Sequence, residues 1–257
     1  MRRNLGTGWI AFCLFMIGCG GGSGSSDPPS AAWPISGNWQ MEMQKSSTAT
    51  RTQSGFLLEK NNAVSGSLIF AGTTCAGMGN VSGTVSGSDV SLSVEPTGLS
   101  IDLTGTLGPD KASMSGNYAM LAAGCGKPET GTWTAALIKP LNGSFQGSFV
   151  STRSGTTFPA SAQIGQGANV GTASAPLTGT LSITGSSCFT TANISGLISG
   201  TSVVLNFGES AGTQVGQVTG TSTPDGTSLS GTYSIPEQGA PGAPCHAGDI
   251  GTFTLTM

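Results

Sequence analysis

The stretch Val81 to Val85, VSGTV, sets the strictest limit on what this chain can become. Its pattern is an apolar residue, then Ser, Thr or Asn, then Gly, any residue, and a second apolar residue. The pattern is complete nine times, beginning at Ile35, Val64, Val81, Leu103, Met114, Leu141, Leu177, Ile194 and Leu229. A tenth copy, Val218 to Ser222, ends in a polar residue. In an extended strand the first, third and fifth positions share a face, so Gly stands on the apolar side and Ser or Thr on the other. Gly at a fixed inner phase relieves crowding where a strand coils sharply to close a small barrel, and it permits a kink or bulge there. The pentad therefore predicts strongly bent strands; flat β-sandwiches are the alternative.

Period-two alternation broken by Gly, Pro, Asn and Asp marks half-buried antiparallel strands. Eight such runs lie near residues 36–44, 51–59, 63–70, 79–86, 89–95, 99–107, 112–120 and 130–138. Eight more lie near 142–151, 158–165, 175–184, 190–199, 202–208, 214–222, 227–235 and 249–256. No amphipathic helix is visible. The two sets carry the same landmarks in the same order: Ile35 to Trp39 with Leu141 to Phe145, Cys75 with Cys188, Met114 to Tyr118 with Leu229 to Tyr233, Cys125 with Cys245, and Gly131 to Trp133 with Gly251 to Phe253. The expected fold is all-β: two tandem eight-stranded antiparallel meander barrels, copy one over 33–139 and copy two over 140–257. Only Lys139 and Pro140 separate strand eight of copy one from strand one of copy two, so the barrels are expected to meet near their tight-turned ends.

Ahead of the barrels, Arg2 and Arg3 precede an apolar run from Trp9 to Ile17 that ends in Met16 to Cys19, MIGC. The run is shorter than the roughly 20 residues a spanning helix needs, so 1–18 reads as a secretory leader. MIGC resembles the lipobox of bacterial lipoproteins. That resemblance implies a diacylated Cys19 as the first mature residue, with Cys13 leaving in the leader. It also implies attachment to the outer membrane, since Gly20 is not the acidic residue tied to inner-membrane retention. Residues 19–32 hold GGGSGSSDPPS, with nothing to bury, and predict a flexible tether reaching about 20 Å.

Removing Arg2 and Arg3 from the nine Lys and Arg leaves seven against twelve Asp and Glu, all scattered singly. No basic stripe exists, which argues against nucleic acid as a partner. Only 8% of the chain is charged, so the sheets are expected to be neutral and faced with Ser and Thr. The strand motifs LTGTL and LSGTY and the initial SGNW resemble the avidin and streptavidin barrel. The resemblance is confined to short strand motifs and implies a calycin-like, up-and-down architecture. It does not bring biotin with it, because copy two has no Trp. The chain as a whole is similar to uncharacterised Gly/Ser/Thr-rich bacterial lipoproteins, a likeness that implies no activity.

Four Cys remain in the folded part of an exported chain, which favours disulfides over thiols. In a meander barrel the loops joining strands three to four and seven to eight share one end. Cys75 and Cys125 fall in those loops of copy one, Cys188 and Cys245 in those of copy two, so the expected pairs are Cys75 with Cys125 and Cys188 with Cys245. Two thiols per copy make an incomplete metal site, and no metal or cofactor is expected.

His246, the chain's one His, has Gly126 at the corresponding place in copy one, and it reads as an exposed loop residue rather than a catalytic base. No carboxylate is expected to recur at a matched landmark, which argues against a glycosidase pair, and Asp89, Glu95 and Asp102 read as solvated. Gly165 to Gly171 lacks a following helix and is no dinucleotide loop. Turns at one end are tight, while the Cys-bearing end has long loops, so binding is assigned to that mouth. Candidate contacts are Lys45, Arg51, Met78 and Lys127 in copy one, and Arg153, Phe189, Glu209 and His246 in copy two. Whether side chains fill the barrels or leave room for a ligand stays open. The leading expectation is a non-catalytic, lipid-anchored envelope protein that binds a small ligand or an envelope partner. A carrier of a small apolar ligand is the alternative, and an envelope hydrolase built around His246 ranks last.

Overall fold

The computed structural model describes residues 35–45, 50–70, 77–122, 128–169, 171–208, 216–237 and 245–257. Cys19, Cys75, Cys125, Lys127 and Glu209 lie outside these residues. Barrel one is built from β1 (Gly37–Lys45), β2 (Thr50–Lys60), β3 (Ala63–Phe70), β4 (Gly77–Ser86), β5 (Asp89–Pro96), β6 (Leu99–Leu107), β7 (Ser113–Ala122) and β8 (Glu129–Ile138). Barrel two is built from β9 (Gly143–Ser151), β10 (Thr157–Gln166), β11 (Ala175–Ile183), β12 (Thr191–Ser199), β13 (Ser202–Gly208), β14 (Gly216–Ser222), β15 (Ser228–Ile235) and β16 (Asp249–Thr256). Every strand pairs with its sequence neighbour, and each barrel closes, β1 on β8 and β9 on β16. Closure excludes the sandwich and leaves no edge strand to protect. Among the described residues there is no helix.

The pentad glycines are where strands approach too closely for a side chain. In eight of the ten pentads a Cβ on the Gly would meet a backbone carbonyl oxygen of the adjoining strand far inside van der Waals contact; Gly116 would strike Thr104 and Gly231 would strike Thr219. The crowding is thus lateral, between neighbouring backbones, rather than across the lumen as inner side chains alone would suggest. Two pairs stand directly opposite at equivalent places, Gly105 with Gly116 and Gly220 with Gly231. A Cβ on the second of each pair would lie 2.5 Å from the partner's Cα.

Buried apolar side chains line both lumens. In barrel one Trp39, Met41, Met43, Leu57, Leu68, Ile101, Leu103 and Trp133 are essentially inaccessible. The buried indoles keep partners, as they must in an apolar core: Trp39 Nε1 donates to the Ile35 carbonyl at 2.8 Å and Trp133 Nε1 to that of Asn117 at 3.1 Å. In barrel two Phe149 stacks on Phe253 at 5.4 Å between centroids and tilts against Tyr233 at 5.1 Å. The space left among Phe149, Ile164, Leu181, Phe207, Phe253 and Leu255 is about 10 Å³, no more than a single water could use.

The two barrels meet through the tight-turned end of barrel two, but on barrel one the contact is the outer wall of β1 and β2. Asn38 donates to the Gly200 carbonyl at 2.8 Å and accepts from the Gly200 N–H at 2.7 Å. Gln40 accepts from the Thr201 N–H at 3.2 Å, and the hydroxyls of Ser54 and Ser199 lie 3.0 Å apart. Phe56, outward on β2, is 6% exposed because it joins the core cluster of barrel two. The short linker is held by the Lys139 N–H donating to the Pro224 carbonyl at 2.8 Å. Among the described residues, the hydrogen bonds of this contact come from the β12–β13 and β14–β15 turns and not from the opposite end, where the β11–β12 and β15–β16 loops emerge.

Candidate functional site

The two mouths share a tyrosine and a carboxylate brought together across neighbouring strands. In barrel one Tyr118 on β7 donates to Glu129 Oε1 at 2.6 Å. Glu129 also takes Lys45 Nζ at 3.0 Å and Arg51 Nη2 at 3.3 Å on Oε2, and Arg51 Nη1 reaches the Met120 thioether at 3.3 Å. Burial pushes the Glu129 carboxyl up, but the hydrogen bonds from Tyr118 and Lys45 and the charge of Arg51 outweigh it and hold its pKa below the ordinary glutamate value. In barrel two Tyr233 on β15 donates to Asp249 Oδ2 at 2.7 Å. Ser151 donates to Asp249 Oδ1 at 2.6 Å, and the Ile250 N–H adds 2.9 Å to the same oxygen.

This corrects the expectation that no carboxylate recurs at a matched landmark. Glu129 and Asp249 each stand two residues before the Gly131 and Gly251 landmarks, and each meets the tyrosine of its own copy. The signal was in the sequence, as a carboxylate, one residue, then Gly-Thr-aromatic; the change from Glu to Asp concealed it.

At Asp249 lies an open cleft of about 460 Å³, lined among others by Ser151, Arg153, Phe158, Cys188, Cys245 and His246. Cys188 and Cys245 are joined in a disulfide that ties the β11–β12 loop to the β15–β16 loop. This is the pairing that loop parity predicted for copy two. A broader, shallower hollow of about 570 Å³ lies on the rim of barrel one, where Glu95 and Ser100 are the polar side chains of a described lining otherwise made of Pro96, Gly98, Leu99, Leu121 and Pro128.

The candidate residues divide. Lys45 and Arg51 come together on Glu129, and Arg153 and His246 line one cleft. Met78, 60% exposed, faces outward beside Ile69 on the wall of barrel one. Phe189 is a core residue instead of a surface contact: it is 5% exposed and tilts against Phe207 at 4.9 Å. His246 is half-buried rather than exposed. Ser151 is buried: its hydroxyl donates to Asp249, and its oxygen accepts from the Arg153 and Ser154 N–H groups.

Tyr118 and Tyr233 are the chain's only tyrosines, so absorbance reports the two mouths alone. Burial first, then the hydrogen bond to Glu129 and its charge, pushes Tyr118 up to about 12. Burial and the Asp249 carboxylate raise Tyr233 as well. A spectrophotometric titration of the native protein should show almost no phenolate at about pH 10, where a free tyrosine is half ionised. Half-ionisation there would contradict the mouth geometry.

No protein-family model matches the chain, and no curated protein matches it. Among solved structures it is similar to a protein of unknown function from the DUF3598 family of Nostoc punctiforme PCC 73102, 14% identical, with a TM-score of 0.24 over 88% of this chain and 98% of that one. It is also similar to kievitone hydratase from Nectria haematococca, 10% identical, with a TM-score of 0.25 over 87% of this chain and 89% of that one. Neither likeness brings chemistry to the mouth residues.

Proposed function

We propose that this chain is a non-catalytic, lipid-anchored protein of the bacterial cell envelope that binds a small ligand or a partner group at the open mouth of barrel two. The observation that carries the reading is the contrast in space: about 10 Å³ inside barrel two against about 460 Å³ in the cleft over Asp249. A lumen that small holds no apolar cargo, and convergent polar groups in a concave site are what orient a bound molecule. Among the described residues, the bonds to barrel one come from the other end of barrel two, which supports the mouth as the binding surface. Residues 1–18 would be removed as a leader, Cys19 acylated, and 19–32 left as the tether from the outer membrane.

The anchor is tested by replacing Cys19 with Ser and following detergent-phase partitioning. The wild-type chain is expected in the membrane fraction and the variant in the soluble envelope fraction. A processed variant that stays with the membrane would overturn the anchor.

A further inference from the structure

The duplication allows one mouth to be read against the other. Strand register makes the correspondences: Met43 pairs with Trp133 as Phe149 pairs with Phe253, so Lys45, two residues on, corresponds to Ser151. Met43 also pairs with Arg51 as Phe149 pairs with Phe158, so Arg51 corresponds to Phe158. Both cations that neutralise Glu129 are therefore replaced, one by a hydroxyl and one by an aromatic ring, while the tyrosine and the carboxylate are kept.

Mouth one is self-satisfied, with two cations on one carboxylate. Mouth two is not. Asp249 is held by two hydroxyls and one N–H, and among the described residues no cation bonds to it. A carboxylate has about four acceptor positions, so one remains, on Oδ2. The residue lines the cleft, and Phe158, half-buried on the same lining, offers an aromatic wall of the kind that also favours a cation.

From this we infer that the cleft of barrel two is a site for a primary ammonium or guanidinium group, which takes the place that Lys45 and Arg51 occupy in barrel one. The inference rests on the mouth of barrel two being the binding surface and supplies its ligand class. Arg153 stands on the exposed rim of the same cleft, where solvent and salt screen it. A buried Ser151, which also fixes the turn at 151–154 through its oxygen, and a tyrosine with a raised pKa keep the carboxylate pre-oriented, so little ordering is required when the cation arrives.

The test is a titration of the isotope-labelled full barrel pair with n-butylammonium, butyrate and sorbitol, read from the amide shifts of Ala247, Gly248 and Ile250. Saturable shifts with n-butylammonium alone are expected, weakening as salt is raised. Asp249→Asn should lower that affinity about tenfold or more. Phe158→Arg, which restores one arm of mouth one while leaving Asp249 in place, should lower it likewise, and serves as the second variant if Asp249→Asn fails to fold. Binding of butyrate or sorbitol without n-butylammonium would overturn the cation site while leaving a binding mouth. Absence of any saturable shift would overturn both, and affinity for n-butylammonium unchanged in both variants would overturn the role of Asp249.

Discussion

Gly116→Ala should destabilise barrel one by about 3 kcal/mol or more, at the upper end of what overpacking costs. The added Cβ would strike the Thr104 carbonyl and lie 2.5 Å from the Gly105 Cα. Both atoms are backbone in a closed ladder, so neither can swing aside as a side chain would. Against a domain stability of about 5–15 kcal/mol, that loss should appear as a large fall in the urea midpoint. Gly165→Ala is the control. Its Cβ would find nothing nearer than the Thr178 oxygen at 3.9 Å, so stability should hold or rise slightly through the loss of unfolded-state freedom. Equal effects at the two sites would refute the close-approach role of the pentad glycine.

Removal of the Cys188–Cys245 disulfide should have an effect as large. The two residues are 57 apart in sequence, and in the chain-entropy model a loop of that length is worth about 4 kcal/mol. The double replacement by Ala should lower the stability of barrel two by roughly that amount, measured by urea unfolding against the oxidised wild type. It should also loosen the mouth, because the bridge holds together the two loops that frame the cleft. A change below about 1 kcal/mol would mean that the bridge constrains neither the unfolded chain nor the mouth.

The strands were legible because alternation and turn residues act locally: all sixteen lie within two residues of the runs read from the sequence. Loop parity placed Cys188 beside Cys245 because a meander leaves no choice of which loops share an end. What escaped depends on relations between strands. Phe56 sits in the run Phe56-Leu57-Leu58, where continuous apolarity masks the phase, and its burial comes from the other barrel. Phe189 lies in a loop whose inward turn toward Phe207 no period announces. The Tyr118–Glu129 and Tyr233–Asp249 pairs require the register of β7 on β8 and of β15 on β16. Loop position alone brings Lys45 and Arg51 to the mouth, whereas the Glu129 carboxylate that unites them becomes visible only with the register of β1 on β8 and β2.

The proposed binding surface is the rim of barrel two and not the inside of a lumen. Methyl-labelled protein titrated with n-butylammonium and separately with decanoate tests it most directly. With n-butylammonium the expected shift is at the rim methyl of Ala247, while Ile164, Leu181, Ile194 and Leu205, which enclose the 10 Å³ interior, stay fixed with either probe. Saturable movement of those inner methyls by decanoate would contradict it and make barrel two a carrier.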